Sequence, residues 1–227
     1  MNSDNQYFRV FVSAILVILF LISGFLIVSY AAGYKIDFTN RQISQTGMIA
    51  VSVRVAQAEI FLDSKPVGKG SVTLRNLTPG NYSIRVAMDG YHDWTKNVSL
   101  DGQEAIFLSN IVLFTKNPKI EEYSSSVRQS IINDLSDTNG LSSQGGEIYA
   151  NGRLVTRILG DVSGLCWYWD HQYIAFSANG KLQIIEIDGT NNIELLDHND
   201  RTPVIFTNAG NSVIFENQNK IFKAQIR

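Results

Sequence analysis

The stretch Asn76–Trp94, NLTPGNYSIRVAMDGYHDW, sets a Pro-Gly corner, an alternating run and a Gly-Tyr reversal side by side. Pro79 fixes its own φ and Gly80 tolerates positive φ, a pairing that predicts a type II turn. From Tyr82 to Met88 the apolar Tyr82, Ile84, Val86 and Met88 alternate with other residues, which is the period of a strand with one buried face. Asp89-Gly90 then predicts a second reversal. Tyr91 and Trp94 follow it. Rings at such a place either close the open end of a core or, if exposed and coplanar, stack against a sugar, so both are candidate ligand-binding residues.

The same two-residue period extends on both sides. Strands are predicted at Met48–Val55, Ala58–Leu62, Val72–Leu74, Thr95–Leu100 and Ala105–Phe114, with Asp63-Ser64-Lys65 and Pro66–Gly70 as connections. That many short strands in so short a segment predict a compact antiparallel β-sandwich over 48–116. Ala58, Ile60, Leu62, Asp63, Gly68, Leu77, Pro79, Gly80, Tyr82, Gly90 and Tyr91 stand in the order of a PEGA domain, and the segment resembles that family. It departs from the family pattern where Val55-Ala56-Gln57-Ala58 replaces the Pro-Glu-Gly-Ala string, where Ser64 follows Asp63 in place of Gly, and where Ser71-Val72 replaces Thr-Pro. The resemblance implies a small carbohydrate-binding-type or transthyretin-like sandwich.

Upstream, Val10–Ala32 (VFVSAILVILFLISGFLIVSYAA) holds no charged residue. As a helix it would run about 34 Å against a bilayer core of about 30 Å. Tyr7, Phe8, Tyr30 and Tyr34 flank it as interfacial aromatics do. Ser29-Tyr30-Ala31 has spacing suited to signal cleavage, yet the apolar core of a signal usually runs only about 7–15 residues. The expected plan is a short N-terminal tail (1–9), a transmembrane helix (10–32), a juxtamembrane segment (33–47) and extracytoplasmic β domains, in a single-pass plasma-membrane protein with its N-terminus cytoplasmic. Charges near the span barely discriminate orientation, since Arg9 is matched by Lys35 and Arg41 on the far side.

Downstream, 117–146 is rich in Ser, Asn, Asp, Gly and Gln and predicts a polar linker with a short helical turn at 130–135. The β pattern returns over 147–227 and repeats. Residues 165–187 (LCWYWDHQYIAFSANGKLQIIEI) and 204–226 (VIFTNAGNSVIFENQNKIFKAQI) are related at an offset of 39. A period near 40 with several strands per unit predicts propeller blades. Trp169–Phe176 resembles the corresponding run of TolB-type, WD40-like β-propeller repeats, without their Ser-Pro and Gly-Lys. Two or so blades are too few for a ring, which takes at least about four. A shortened or partner-dependent propeller is expected, with open edges that invite oligomers or β-addition.

The fold class is thus mainly β: an N-terminal transmembrane helix, a PEGA-like sandwich, then partial propeller-like repeats. Chemistry is sparse. A net charge of −2 without a basic stripe argues against nucleic acid. The single Cys166 cannot form an internal disulfide and lies in an apolar aromatic run. No phosphate loop or nucleophile elbow appears, and no cofactor or metal is expected. Asp197-His198-Asn199-Asp200 and Asp188–Asn192 read as turns first and metal loops second. Asn76, Asn81 and Asn97 fit the glycosylation pattern, which matters only in a eukaryotic secretory pathway. The expected role is a non-enzymatic cell-envelope binding or scaffold module for a glycan, cell wall or protein partner. Two alternatives remain. One is an envelope enzyme or metal-binding accessory, which would gather Asp170, His171, Asp197, His198 and Asp200 in one pocket. The other is a soluble module secreted after signal cleavage.

Overall fold

The computed structural model describes residues 3–31, 33–37, 42–123, 135–199 and 202–227. It opens with one helix, Ser3–Ala31, whose segment Phe8–Ala31 is strongly apolar and is not buried by the other described residues. By length and composition that segment can cross a bilayer, a test a signal sequence also passes. A hairpin of β1 (Tyr34–Asp37) and β2 (Gln42–Gln45) follows, in the expected juxtamembrane segment.

The sandwich has seven strands: β3 (Gly47–Val53), β4 (Glu59–Leu62), β5 (Lys65–Lys69), β6 (Ser71–Leu77), β7 (Gly80–Ala87), β8 (Trp94–Leu100) and β9 (Ala105–Ile111). One sheet runs β6-β3-β9, the other β5-β4-β7-β8. Ile49, Val51, Ile60, Ile84, Val86, Trp94 and Leu100 fill the space between them. The sandwich departs from the expected wholly antiparallel form, because β3 and β9 are parallel. The chain passes from one sheet to the other between them, so a tight hairpin does not set their direction. Pro66–Lys69, read as connection, is part of β5. A proline sits comfortably there because β5 is an edge strand.

The Pro-Gly corner also differs in detail. Gly80 has φ 157° and begins β7, rather than taking the φ of a type II turn, and positive φ falls instead on Asn76 at 57°. What fastens the corner is Tyr82, whose hydroxyl donates back to Thr78 O at 2.7 Å. Its partners on the predicted face lie where the period places them: Ile84 and Val86 buried, Tyr82 and Met88 packed at the margin. Asp63 (φ 47°) and Ser64 (φ 68°) join the paired Leu62 and Lys65 by a two-residue turn with both φ positive. Left-handed backbone costs an L-residue about 1–2 kcal/mol, less what glycine loses in chain entropy. Ser64→Gly is therefore expected to raise unfolding stability by about 0.5–1 kcal/mol in a urea titration, with no change in slope.

The rest of the chain forms three stacked sheets. The first contains β11 (Leu141–Gln144), β12 (Glu147–Ala150) and β13 (Arg153–Arg157). The second is a four-strand meander of β14 (Val162–Trp167), β15 (Tyr173–Ala178), β16 (Lys181–Glu186) and β17 (Ile193–Asp197). The third contains β18 (Ile205–Thr207), β19 (Ser212–Asn217) and β20 (Lys220–Gln225), joined on the far side of β20 by β10 (Lys119–Glu122). The offset of 39 reappears in the strand limits: β15 and β16 map end to end onto β19 and β20. Both hairpins turn through positive-φ pairs, Asn179-Gly180 and Gln218-Asn219. One core lies between the first and second sheets, around Ile148, Trp167, Ile174 and Phe176. Another lies between the second and third, around Tyr168, Tyr173, Leu182, Val213 and Phe215. The middle sheet is therefore covered on both faces, which is why β15 is buried at every residue.

No closed ring of sheets is present among the described residues. Nor are all the edges open, since β10, from the segment expected to be linker, covers the edge of β20. Of the short helical turn expected at 130–135, only Leu135 lies within the described residues.

Candidate functional site: the junction of sandwich and stacked sheets

Residues 111–114 bridge the two halves. Successive side chains of extended backbone point opposite ways. Ile111 and Leu113 enter the sandwich core, whereas Val112 and Phe114 enter the core between the second and third sheets. Backbone bonds continue the join: Thr115 N–H to Ile226 O at 3.0 Å, and Lys116 N–H to Gly90 O at 2.9 Å.

Beside this seam lies a polar cluster centred on Glu186, the last residue of β16 and a buried one. Its Oε1 accepts from the Trp94 indole N–H and from the Tyr173 hydroxyl at 3.2 Å. Its Oε2 accepts from Lys96 Nζ at 2.7 Å, with Thr190 Oγ1 at 3.0 Å. Lys96 also meets Asp188 Oδ2 at 2.8 Å. Trp94 and Lys96 lie on the same face of β8, two residues apart, and both reach across to the second sheet. Asn191 clamps the strand between them: its side-chain oxygen accepts from Thr95 N–H at 2.9 Å and its amide donates to Thr95 O at 3.1 Å, as a neighbouring strand would.

Burial alone would pull the Lys96 ammonium down. The hydrogen bonds and charges of Asp188 and Glu186 outweigh it and hold Lys96 above its ordinary value. For Asp188, burial opposes ionisation, but Lys96 and Thr190 overcome it and hold the carboxyl below its ordinary value. Burial, reinforced by the Glu186 charge, pushes Tyr173 up, so it remains a donor.

The linkage follows in sign. A raised lysine contributes stability that is complete below its unfolded value of 10.5 and is lost as pH rises through the folded value. A depressed carboxyl contributes stability present above 3.8 and lost as pH falls through its folded value. The Asp188→Asn and Lys96→Met variants are thus expected to differ from the parent in stability across the neutral range. The gap for Asp188→Asn closes only well below pH 3.8, and that for Lys96→Met only above pH 10.5, read as unfolding midpoints against pH.

Trp94 is 3 % exposed and Tyr91 half-buried, with Tyr91 bridged to Thr115. A ring so covered offers no face to a sugar, so the two do not make a stacking platform; Trp94 contributes its N–H to the junction instead. The residues of the metal or enzyme alternative take separate partners. Asp170 accepts from Gln172 N–H within its own turn, and His171 Nε2 stands 2.9 Å from Asp137 Oδ2. Asp197 pairs with Lys181, and the buried His198 bonds Ser177 Oγ at 2.6 Å. Asp200 lies outside the described residues. Among the described residues no three His, Cys, Asp or Glu gather as metal ligands. Cys166 is buried, and desolvation, with the Asp137 charge adding to it, pushes its thiol up to about 12.

The junction borders a cleft of about 260 Å³, lined by Phe107–Ile111 of β9 together with Trp94, Lys96, Tyr173 and Glu186–Asp188. Sequence reading missed both junction and cleft. The only sign was the pair Trp94 and Lys96 at strand spacing, each with a polar tip that needs a partner.

Residues 46–112 match the PEGA domain family, a segment that coincides with the seven-strand sandwich. No curated protein matches the chain.

Proposed function

We propose that this chain is a non-enzymatic, single-pass, membrane-anchored protein of the cell envelope, with its N-terminus cytoplasmic and its β domains outside as a rigid binding scaffold. The observation that carries the reading is the junction. Alternate residues of 111–114 belong to two cores, and a buried carboxylate from one half is held by donors from both. Such coupling turns a sandwich and a stack of sheets into one rigid body, which suits a surface that must be held at a fixed attitude to its anchor. The apolar helix and the PEGA match fit a module tethered to, or exported across, a membrane. The repeat of β15-β16 in β19-β20 supports reading the stack as a shortened, propeller-like array.

Protease treatment of intact cells, followed by carbonate extraction and N-terminal sequencing, tests this. An anchored scaffold remains in the membrane pellet with its helix attached, and its β domains are cleaved from outside. A mature start near Ala32 in the soluble fraction would replace the anchor with a secreted module. Protection of the β domains in intact cells would reverse the topology.

A further inference from the structure

We propose that the free edge of β9 is a docking strand for an extended, basic peptide segment of a partner protein, which adds to the sheet β6-β3-β9 through main-chain hydrogen bonds. The proposal names the class of partner for the scaffold reading above and rests on it.

The first argument is the composition of the edges. The sandwich has four edge strands, β5, β6, β8 and β9. Soluble proteins blunt such edges with charge or proline, because unpaired backbone groups template another strand. Three of them follow this rule: β5 has Lys65, Pro66 and Lys69, β6 has Arg75, and β8 has Lys96. Strand β9, Ala-Ile-Phe-Leu-Ser-Asn-Ile, has neither charge nor proline over seven residues, and among the described residues β3 is its only strand partner.

The second argument is shape. The uncharged edge borders a cleft rather than a flat margin, and five consecutive β9 residues line it together with residues at the end of β16 and the start of β8. Phe107, 67 % exposed, and Ile187, 40 % exposed, both line it. An alternating strand laid along β9 would place an apolar side chain between them. Asn110, in left-handed backbone at φ 60°, ends the regular edge and sets the length of pairing at about five residues.

Charge fixes the chemistry of the occupant. The cleft has two carboxylates, Glu186 and Asp188, against the single ammonium of Lys96, so a net negative charge stands beside the apolar gap. A peptide alternating apolar with Lys or Arg complements both. A glycan would want exposed rings in pairs, and the cleft offers Phe107 alone, since Trp94 is buried.

The test uses the full chain in detergent and a fluorescent Lys-Val-Lys-Val-Lys-Val peptide, read by anisotropy. Three comparisons accompany it: the matching Glu-Val peptide, the Lys-Val peptide with alternate backbone nitrogens methylated, and the Phe107→Lys variant. Because the Phe107 ring is largely in solvent, that variant should retain its thermal midpoint, and the methylated peptide interrogates the same contact without any change to the protein. The proposal expects saturable binding that weakens by about tenfold or more in all three comparisons. No binding with a Kd below about 1 mM overturns it, as does equal binding of the methylated or the acidic peptide. A dimer of the chain that Phe107→Lys dissociates, with no peptide binding, assigns the edge to a second copy instead. Since the measurement is made away from cells, its failure leaves the anchored-scaffold reading standing; cell fractionation decides that reading separately.

Discussion

Glu186→Ala is expected to lower the unfolding free energy by about 3–5 kcal/mol and to separate the unfolding of the two halves. The buried carboxylate is the shared acceptor of Trp94 and Lys96 from the sandwich and of Tyr173 and Thr190 from the second sheet. Its removal leaves the N–H of the buried Trp94 and the hydroxyl of the buried Tyr173 without that acceptor, each at a cost of about 1–3 kcal/mol. Lys96 retains Asp188, which limits the loss on that side. Glu186→Gln retains one acceptor oxygen and is expected to fall between parent and alanine variant. Urea unfolding followed by tryptophan fluorescence and by far-UV circular dichroism reads the result. Coincident curves in the parent and divergent curves in Glu186→Ala are expected. Coincident curves in both, with a loss under about 1 kcal/mol, would show that the carboxylate does not couple the halves.

The sandwich was legible because its pattern is local. Period-two alternation, turn residues and the Leu77–Tyr82 run each report on their own neighbourhood, and so the strands of 48–116 other than β5, which reads as connection, lie where they are expected to within a few residues. The repeat was legible for the same reason, and its offset reappears in the strand limits themselves. Contacts between distant segments were not. Nothing around Lys119–Glu122, a short charged stretch, announces that it pairs with a strand about a hundred residues later. Likewise Asp188, Thr190 and Asn191 have the composition of any hairpin turn. Their role as a clamp on β8 depends on where the second sheet stacks, which periodicity does not encode. Trp94 shows the limit most plainly: an aromatic after a turn is equally a platform or a core residue until its burial is known.

Phe114→Ala is expected to cost about 3–5 kcal/mol, and to cost it in the stacked sheets rather than the sandwich. The ring is fully buried and meets Tyr168 edge-on at 5.6 Å and Tyr173 at 5.5 Å, and those two pack on each other at 5.7 Å. Each such contact contributes about 0.5–1.5 kcal/mol beyond burial, and the cavity left behind cannot collapse without moving Tyr173 off Glu186. The adjacent Leu113→Ala removes a side chain from the opposite core at a comparable cost of about 2–5 kcal/mol. Hydrogen exchange separates the two. Phe114→Ala should lose protection in β15, β16, β19 and β20, and Leu113→Ala in β3, β4 and β7. Identical exchange patterns would mean that 111–114 does not divide its side chains between independent cores. Because Phe114 supports Tyr173 and Tyr173 donates to Glu186, the double variant Phe114→Ala/Glu186→Ala should lose less than the sum of the single losses, by about 0.5–3 kcal/mol. Strict additivity would place the aromatic cluster and the polar cluster in separate energetic units, and the rigidity argued for the scaffold would then rest on the shared strand alone.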